Sequence, residues 1–121
     1  MSNIHRPLSI TAHQQSAELE IQFEDGLIFR IPFELMRVYS PSAEVRGHGA
    51  GQEVLQFGKL NVLIQSIEKA GNYAIQITFD DGHDSGIFSW DYLFELGEHY
   101  TDNWIGYLGR LHEAGESRDP E

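Results

Sequence analysis

No cysteine occurs among the 121 residues. Disulfides, thiolate metal sites, cysteine nucleophiles and cysteine-ligated iron–sulfur clusters held by this chain alone are therefore excluded. Positive charge is scarce too: eight Lys and Arg stand against nineteen Asp and Glu, a net charge of −11. That balance argues against nucleic acid and anionic membrane surfaces, both polyanions, and fits solubility, cation binding or a basic partner. No apolar run approaches the ~20 residues of a membrane span. The start, Met1 to Pro7, lacks the apolar core of a signal peptide. Together with the missing cysteine, this gives a cytoplasmic protein as the expectation. What the chain does have is 40% hydrophobic and 12% aromatic residues, too apolar for disorder. A chain of this length buries roughly two-thirds of its unfolded surface, so one self-sufficient domain is expected. It should span residues 8–114, with residues 1–7 and 115–121 as flexible tails.

One stretch organises the rest, Asn72 to Gly97. Tyr73, Ile75, Ile77 and Phe79 alternate with Ala74, Gln76, Thr78 and Asp80, the period of a strand with one buried face. Asp81-Gly82 signals a tight turn. A short strand follows, and Ser89 suits the N-cap of a helix whose first turn holds Trp90 and Asp91. An earlier segment echoes it: Leu19, Ile21 and Phe23 alternate with acids and Gln22, Asp25-Gly26 turns the chain, and Pro32 can open a short helix. Residues 8–13 supply a weaker first strand. Val54–Phe57 and Asn61–Glu68 read as further strands, the latter in a hairpin with 73–80. Ser42–Arg46 adds a helical turn ended by Gly47. Trp104, Leu108 and Leu111 recur at i, i+4 and i+7, the stripe of an amphipathic helix capped by Thr101 or Asp102. The expected fold is α+β: an antiparallel sheet of about six strands in two β-β-α-like units, helices mostly on one face.

Two groups of residues carry candidate chemistry. His83 sits in an acidic turn beside Asp80, Asp81 and Asp84. With His48 and Glu44 brought in by the fold it forms a candidate metal site, since imidazole plus carboxylate suits iron, zinc or manganese. The competing reading makes His83 a hydrogen-bonding, turn-shaping residue, with Asp81 and Gly82 as turn structure. Arg46, Gly47, Gly49 and Gly51 form a candidate anion or ligand loop built on backbone N–H groups. The loop lacks P-loop spacing, because Leu60 follows Lys59 where Ser or Thr is required. The competing reading is a connector between the two units. No Gly-x-Ser-x-Gly elbow surrounds Ser89, so a helix cap is its role, and Trp90 belongs to the core. No catalytic residue is assigned.

Ser40-Pro-Ser-Ala-Glu-Val-Arg-Gly-His48, Gly58-Lys59, Gly71-Asn-Tyr-Ala74 and Asp80-Asp-Gly-His-Asp-Ser-Gly-Ile-Phe-Ser-Trp90 together resemble the gamma-butyrobetaine-hydroxylase-like N-terminal domain family over roughly residues 8–100. The family recurs as the N-terminal module of gamma-butyrobetaine and trimethyllysine dioxygenases and fused to Mrp-type ATPases of iron–sulfur cluster assembly. In the dioxygenases the module resembles a zinc-binding domain with three cysteines and a histidine. By that resemblance Leu35-Met-Arg37 stands in for the segment before the cysteines. Ser40, Ser42 and Val45 hold the three cysteine places and His83 the histidine place. Serine and valine do not supply zinc donors, so the resemblance carries over neither the zinc site nor the hydroxylase activity. It implies a non-catalytic binding or adaptor domain serving metal or iron–sulfur handling through a protein partner. The alternative is a metal-binding protein using His83 and His48 with iron or zinc; a third reading is a small-molecule sensor using the Gly47–Gly51 loop.

Overall fold

The computed structural model of the chain describes residues 5–47, 49 and 51–120. Its elements run β1 (Pro7–His13), β2 (Glu18–Phe23), β3 (Ile28–Pro32), α1 (Phe33–Val38), α2 (Ala43–Arg46), β4 (Ile64–Ala70), β5 (Ala74–Phe79), β6 (Gly86–Ser89), α3 (Trp90–Glu98) and α4 (Tyr100–Ala114). The fold is α+β, and its six strands divide into two antiparallel meanders, β1-β2-β3 and β4-β5-β6. The internal echo in the sequence is real in three dimensions. β2, β3 and α1 repeat as β5, β6 and α3, each pair of strands joined across a glycine at φ near 90° (Gly26 at 93°, Gly82 at 94°).

The middle strand of each sheet carries the strict alternation, and its buried face builds the core. Leu19, Ile21 and Phe23 from β2 and Ile75, Ile77 and Phe79 from β5 are all buried, each 2% exposed or less. A central strand can hide one face fully because both its edges are paired, so no backbone group needs water. Phe33, Leu35 and Met36 of α1 and Trp90, Leu93, Phe94 and Leu96 of α3 join the same cluster. α3 packs against both β3 and β6 and so ties the two sheets together. Gly97 lets it come close, since a Cβ there would run into the Phe29 ring of β3.

Several expectations change. Neither Thr101 nor Asp102 caps α4, because the helix already starts at Tyr100, with His99 at its N-cap and no side-chain cap hydrogen bond. Val54–Phe57 is not a strand, because no neighbouring strand pairs it: the Val54 N–H donates to the Val45 carbonyl instead. β4 begins at Ile64 rather than Asn61. Residues 115–120, read as a flexible tail, lie against the body. The N–H groups of Gly58 and Leu60 donate to the carbonyls of Ser117 and Arg118. Arg118 forks onto the buried Glu34 of α1, Nε to Oε2 at 2.8 Å and NH2 to Oε1 at 2.7 Å. Its guanidinium also lies 4.9 Å from the centre of the Trp104 ring. The physical reason is Glu34: a carboxylate 6% exposed needs a counter-charge, and among the described residues the docked tail brings it. At the other end His5 stacks on Phe94 with ring centres 3.7 Å apart, so the described part of the first seven residues is docked as well.

Candidate functional site

Two neighbouring features meet at the joint between α1 and α2. The first is the turn between β5 and β6, which carries His83 onto that joint. Asp81 holds the turn in place. Its Oδ2 accepts from Arg37 Nε at 2.8 Å and Lys59 Nζ at 2.6 Å, and its Oδ1 accepts from the His83 backbone N–H at 3.1 Å. Burial by itself would raise the Asp81 carboxyl, but those three donors outweigh it and hold it at about 2. His83 is 6% exposed, with Nε2 2.9 Å from Ser40 Oγ and Nδ1 3.0 Å from Glu44 Oε1. Burial, then the nearby Arg37 charge, lowers its pKa against the pull of Glu44 and Asp81. The ring is therefore neutral at pH 7: Nδ1–H donates to Glu44, and Nε2 accepts the Ser40 hydroxyl. Ser42 lies 2.6 Å from Ser85, oxygen to oxygen, and also caps α2 by accepting from the Glu44 N–H. Gly86 completes the crowding, since a Cβ there would collide with Ser40 Oγ.

Of the candidate metal residues, His83 and Glu44 lie 3.0 Å apart, and His48 lies outside the described residues. Ser40, Ser42 and His83 gather as the family pattern implies, and buried Val45 lies on the adjoining helix. The zinc of the dioxygenase modules does not fit here. Two hydroxyls already hydrogen-bonded to protein and an alkyl side chain replace the three thiolates. Among the described residues no group of three His, Asp or Glu is placed to hold a metal ion. Ser89 accepts from the Tyr92 N–H at 3.0 Å and caps α3, and Trp90 is buried with its indole N–H on the Asn72 carbonyl. Gly47 at φ 76° ends α2, and Gly49 and Gly51 are exposed.

The second feature is a cleft of about 470 Å³ on the other side of Ser40. α1 and the joint contribute Val38, Tyr39 and Ser40; α2 contributes Val45 and Arg46. Glu53 to Gln56 form one wall, and Tyr92, Tyr107 and Arg110 project from α3 and α4. The tyrosine hydroxyls brace the walls: Tyr39 donates to the Asn103 carbonyl at 2.8 Å, Tyr92 to the Tyr39 carbonyl, and Tyr107 to the Gln56 carbonyl at 2.8 Å. Burial raises the Tyr92 phenol, and it pushes that of Tyr107, with help from Glu34, to about 12. Both stay protonated donors at pH 7. The Arg46 guanidinium lies 5.8 Å from the Tyr92 ring centre and that of Arg110 5.4 Å from Tyr39. Arg46 of the glycine-loop reading therefore points to this cleft. Sequence reasoning missed Arg110 as a site residue. The signal present was slight: Tyr107 and Arg110 stand at i and i+3 of one helix, and so share a face.

Comparison with known proteins follows this geometry. The family model described as gamma-butyrobetaine hydroxylase-like, N-terminal, matches residues 10–94. Two solution NMR structures resemble the chain at a TM-score of 0.85 each. One is 47% identical and covers 98% of this chain and 94% of its own. The other is 45% identical and covers 99% and 89%. A crystal structure from Acidithiobacillus ferrooxidans, described as a protein with unknown function of the DUF971 family, is 35% identical at a TM-score of 0.65, covering 76% of this chain and 92% of its own. No curated protein matches the chain.

Proposed function

The chain belongs to the gamma-butyrobetaine hydroxylase-like N-terminal family, and on that premise we propose that it is a non-catalytic binding module, an adaptor that captures a protein partner in the cleft between Tyr39 and Tyr92. The observation that carries this reading is the cleft itself. Its 470 Å³ falls within the roughly 300–1,000 Å³ of recognition pockets, and aromatic and aliphatic walls are joined there by two arginines. The polar groups that suit catalysis are committed elsewhere. His83 is hydrogen-bonded at both ring nitrogens and the three phenols are bonded to carbonyls. The fusion of similar domains to iron–sulfur assembly ATPases makes proteins of metal or iron–sulfur handling the partners to test first.

The test is site-specific photo-crosslinking in the cells of origin. A photoreactive residue at Val54, on the cleft wall, should give a discrete adduct with a partner protein. The same residue at Ile87, exposed on β6, should not. No adduct at Val54, or identical adducts at both positions, overturns the adaptor reading.

A second reading, metal binding by His83, Glu44 and His48, is favoured by one observation, the 3.0 Å approach of His83 to Glu44. It requires an ion to replace the proton between Nδ1 and Glu44, with Nε2–H then donating to Ser40 Oγ. Elemental mass spectrometry of chelator-free protein decides it. Stoichiometric iron, zinc or manganese that vanishes in His83→Ala supports the reading, and metal-free protein removes it.

A further inference from the structure

We propose that the cleft recognises a carboxylate next to a bulky apolar side chain, and that its occupant is an acidic peptide segment of the partner; this rests on the adaptor reading above. The argument starts from a count of what is left to bind with. Each tyrosine hydroxyl in the cleft spends its one proton on a backbone carbonyl. The cleft's remaining strong donors are Arg46 and Arg110. Arg110 uses one N–H on the Tyr39 oxygen at 3.0 Å, which leaves the rest of its fork.

The charge inventory of the whole molecule points the same way. With nineteen acids and eight Lys and Arg, carboxylate partners are abundant. Arg30, Arg37, Lys59 and Arg118 each take one or more. Arg6, Arg46, Lys69 and Arg110 form no ion pair among the described residues, and of these four only Arg46 and Arg110 line the cleft, where the one acid is Glu53. Each of these two lies over a tyrosine ring, and those two tyrosines are bonded to each other through the Tyr92 hydroxyl. Each ring holds one cation at the cleft, and no side-chain hydrogen bond of Arg46 and only the Tyr39 contact of Arg110 is present among the described residues. A guanidinium fork matches a carboxylate in two hydrogen bonds. The neighbouring aliphatic walls, Val45 and Val54, demand an apolar group beside the acid.

The overall charge of −11 does not oppose this. At physiological salt the general field is screened beyond about 8 Å, whereas a guanidinium–carboxylate pair forms at contact, well inside that length. The consequence is slow encounter and local holding, with specificity for where the acid sits and not for its mere presence.

Titration of isotope-labelled protein, followed by two-dimensional amide NMR, tests the proposal. The probes are the blocked peptide acetyl-Leu-Glu-Phe-Glu-amide, its glutamine counterpart, and free phenylacetate. The acidic peptide should shift resonances of Tyr39, Arg46, Tyr92 and Arg110, and the glutamine peptide should bind at least ~tenfold more weakly, the loss of one charge-assisted pair. Arg46→Gln with Arg110→Gln should abolish the difference between the two peptides. Val54→Glu, which leaves both arginines in place and sets a like charge at the wall, should weaken the acidic peptide while the protein keeps a folded spectrum. Equal binding of the two peptides, shifts centred away from the cleft, or unchanged binding in the variants overturns the proposal. Phenylacetate binding as tightly as the peptide overturns the peptide occupant. If the crosslinked adduct at Val54 survives in the double arginine variant, the adaptor reading stands and this inference alone falls.

Discussion

Arg118→Ala is the perturbation whose outcome the structure sets most tightly. Glu34 is 6% exposed in the first turn of α1, and the Arg118 fork at 2.7 and 2.8 Å is its ion-pair partner. Breaking a fully buried pair from one side costs about 3–5 kcal/mol, because an uncompensated charge stays behind. The Arg118 side chain is 38% exposed, so water reaches one side of the pair and the expected cost falls to about 2–3 kcal/mol. The guanidinium over Trp104 adds about 0.5 kcal/mol. For a chain of this size, that total of about 3 kcal/mol should lower the urea midpoint by ~1–2 M. A double-mutant cycle with Glu34→Gln isolates the pair: once Glu34 is neutral, Arg118→Ala should cost under about 1 kcal/mol. Hydrogen exchange adds a local readout, since the Gly58 and Leu60 amides donate to the same tail and should lose protection. A midpoint shift below ~0.3 M, additive with Glu34→Gln and without loss of protection at Gly58 and Leu60, would show the tail to be undocked and the reasoning wrong.

Three further outcomes follow from the His83 cluster. Burial lowers the His83 pKa below its ordinary 6.5, so the unfolded chain binds the proton more readily. Stability should hold above about pH 6.5 and fall as the pH drops below it; His83→Gln should flatten that part of a stability profile measured by urea melts. Asp81, held at about 2 against an ordinary 3.8, should contribute stability that is lost between about pH 4 and 2; Asp81→Asn should remove this acid limb. Gly86→Ala forces a methyl against Ser40 Oγ and the Phe88 ring, and should cost about 1–3 kcal/mol in thermal or urea melts while perturbing the His83 ring resonances. An unchanged melt would show that Ser40 moves aside freely.

Much of the architecture was legible along the chain because its causes are local. The alternation at 19–23 and 75–79 announces two strands with one buried face each, and the acid-Asp-Gly turns announce their hairpins. Ser89 reads as a cap because a cap needs only a hydroxyl and the three residues after it. Val54–Phe57 misled because a β-like pattern becomes a strand only if another strand lies alongside, which no local pattern reports.

The candidate site was legible in part. The resemblance pointed to Ser40, Ser42 and His83, and the acidic turn singled out His83. That His83 binds Ser40 is a contact across 43 residues, and its neutral, doubly bonded state depends on burial that only packing creates. The cleft joins Tyr39, Arg46, Tyr92 and Arg110 from four helical segments or their ends. The tail clamp joins residues 84 apart. Sequence by itself determined the two central strands and their turns, the α3 cap and the acidic, cysteine-free character that rules out thiolate chemistry. Only the tertiary structure decided which charges are paired and which stand ready. Pairing depends on distance and solvent exposure in three dimensions, and neither quantity exists until the two sheets close on one core.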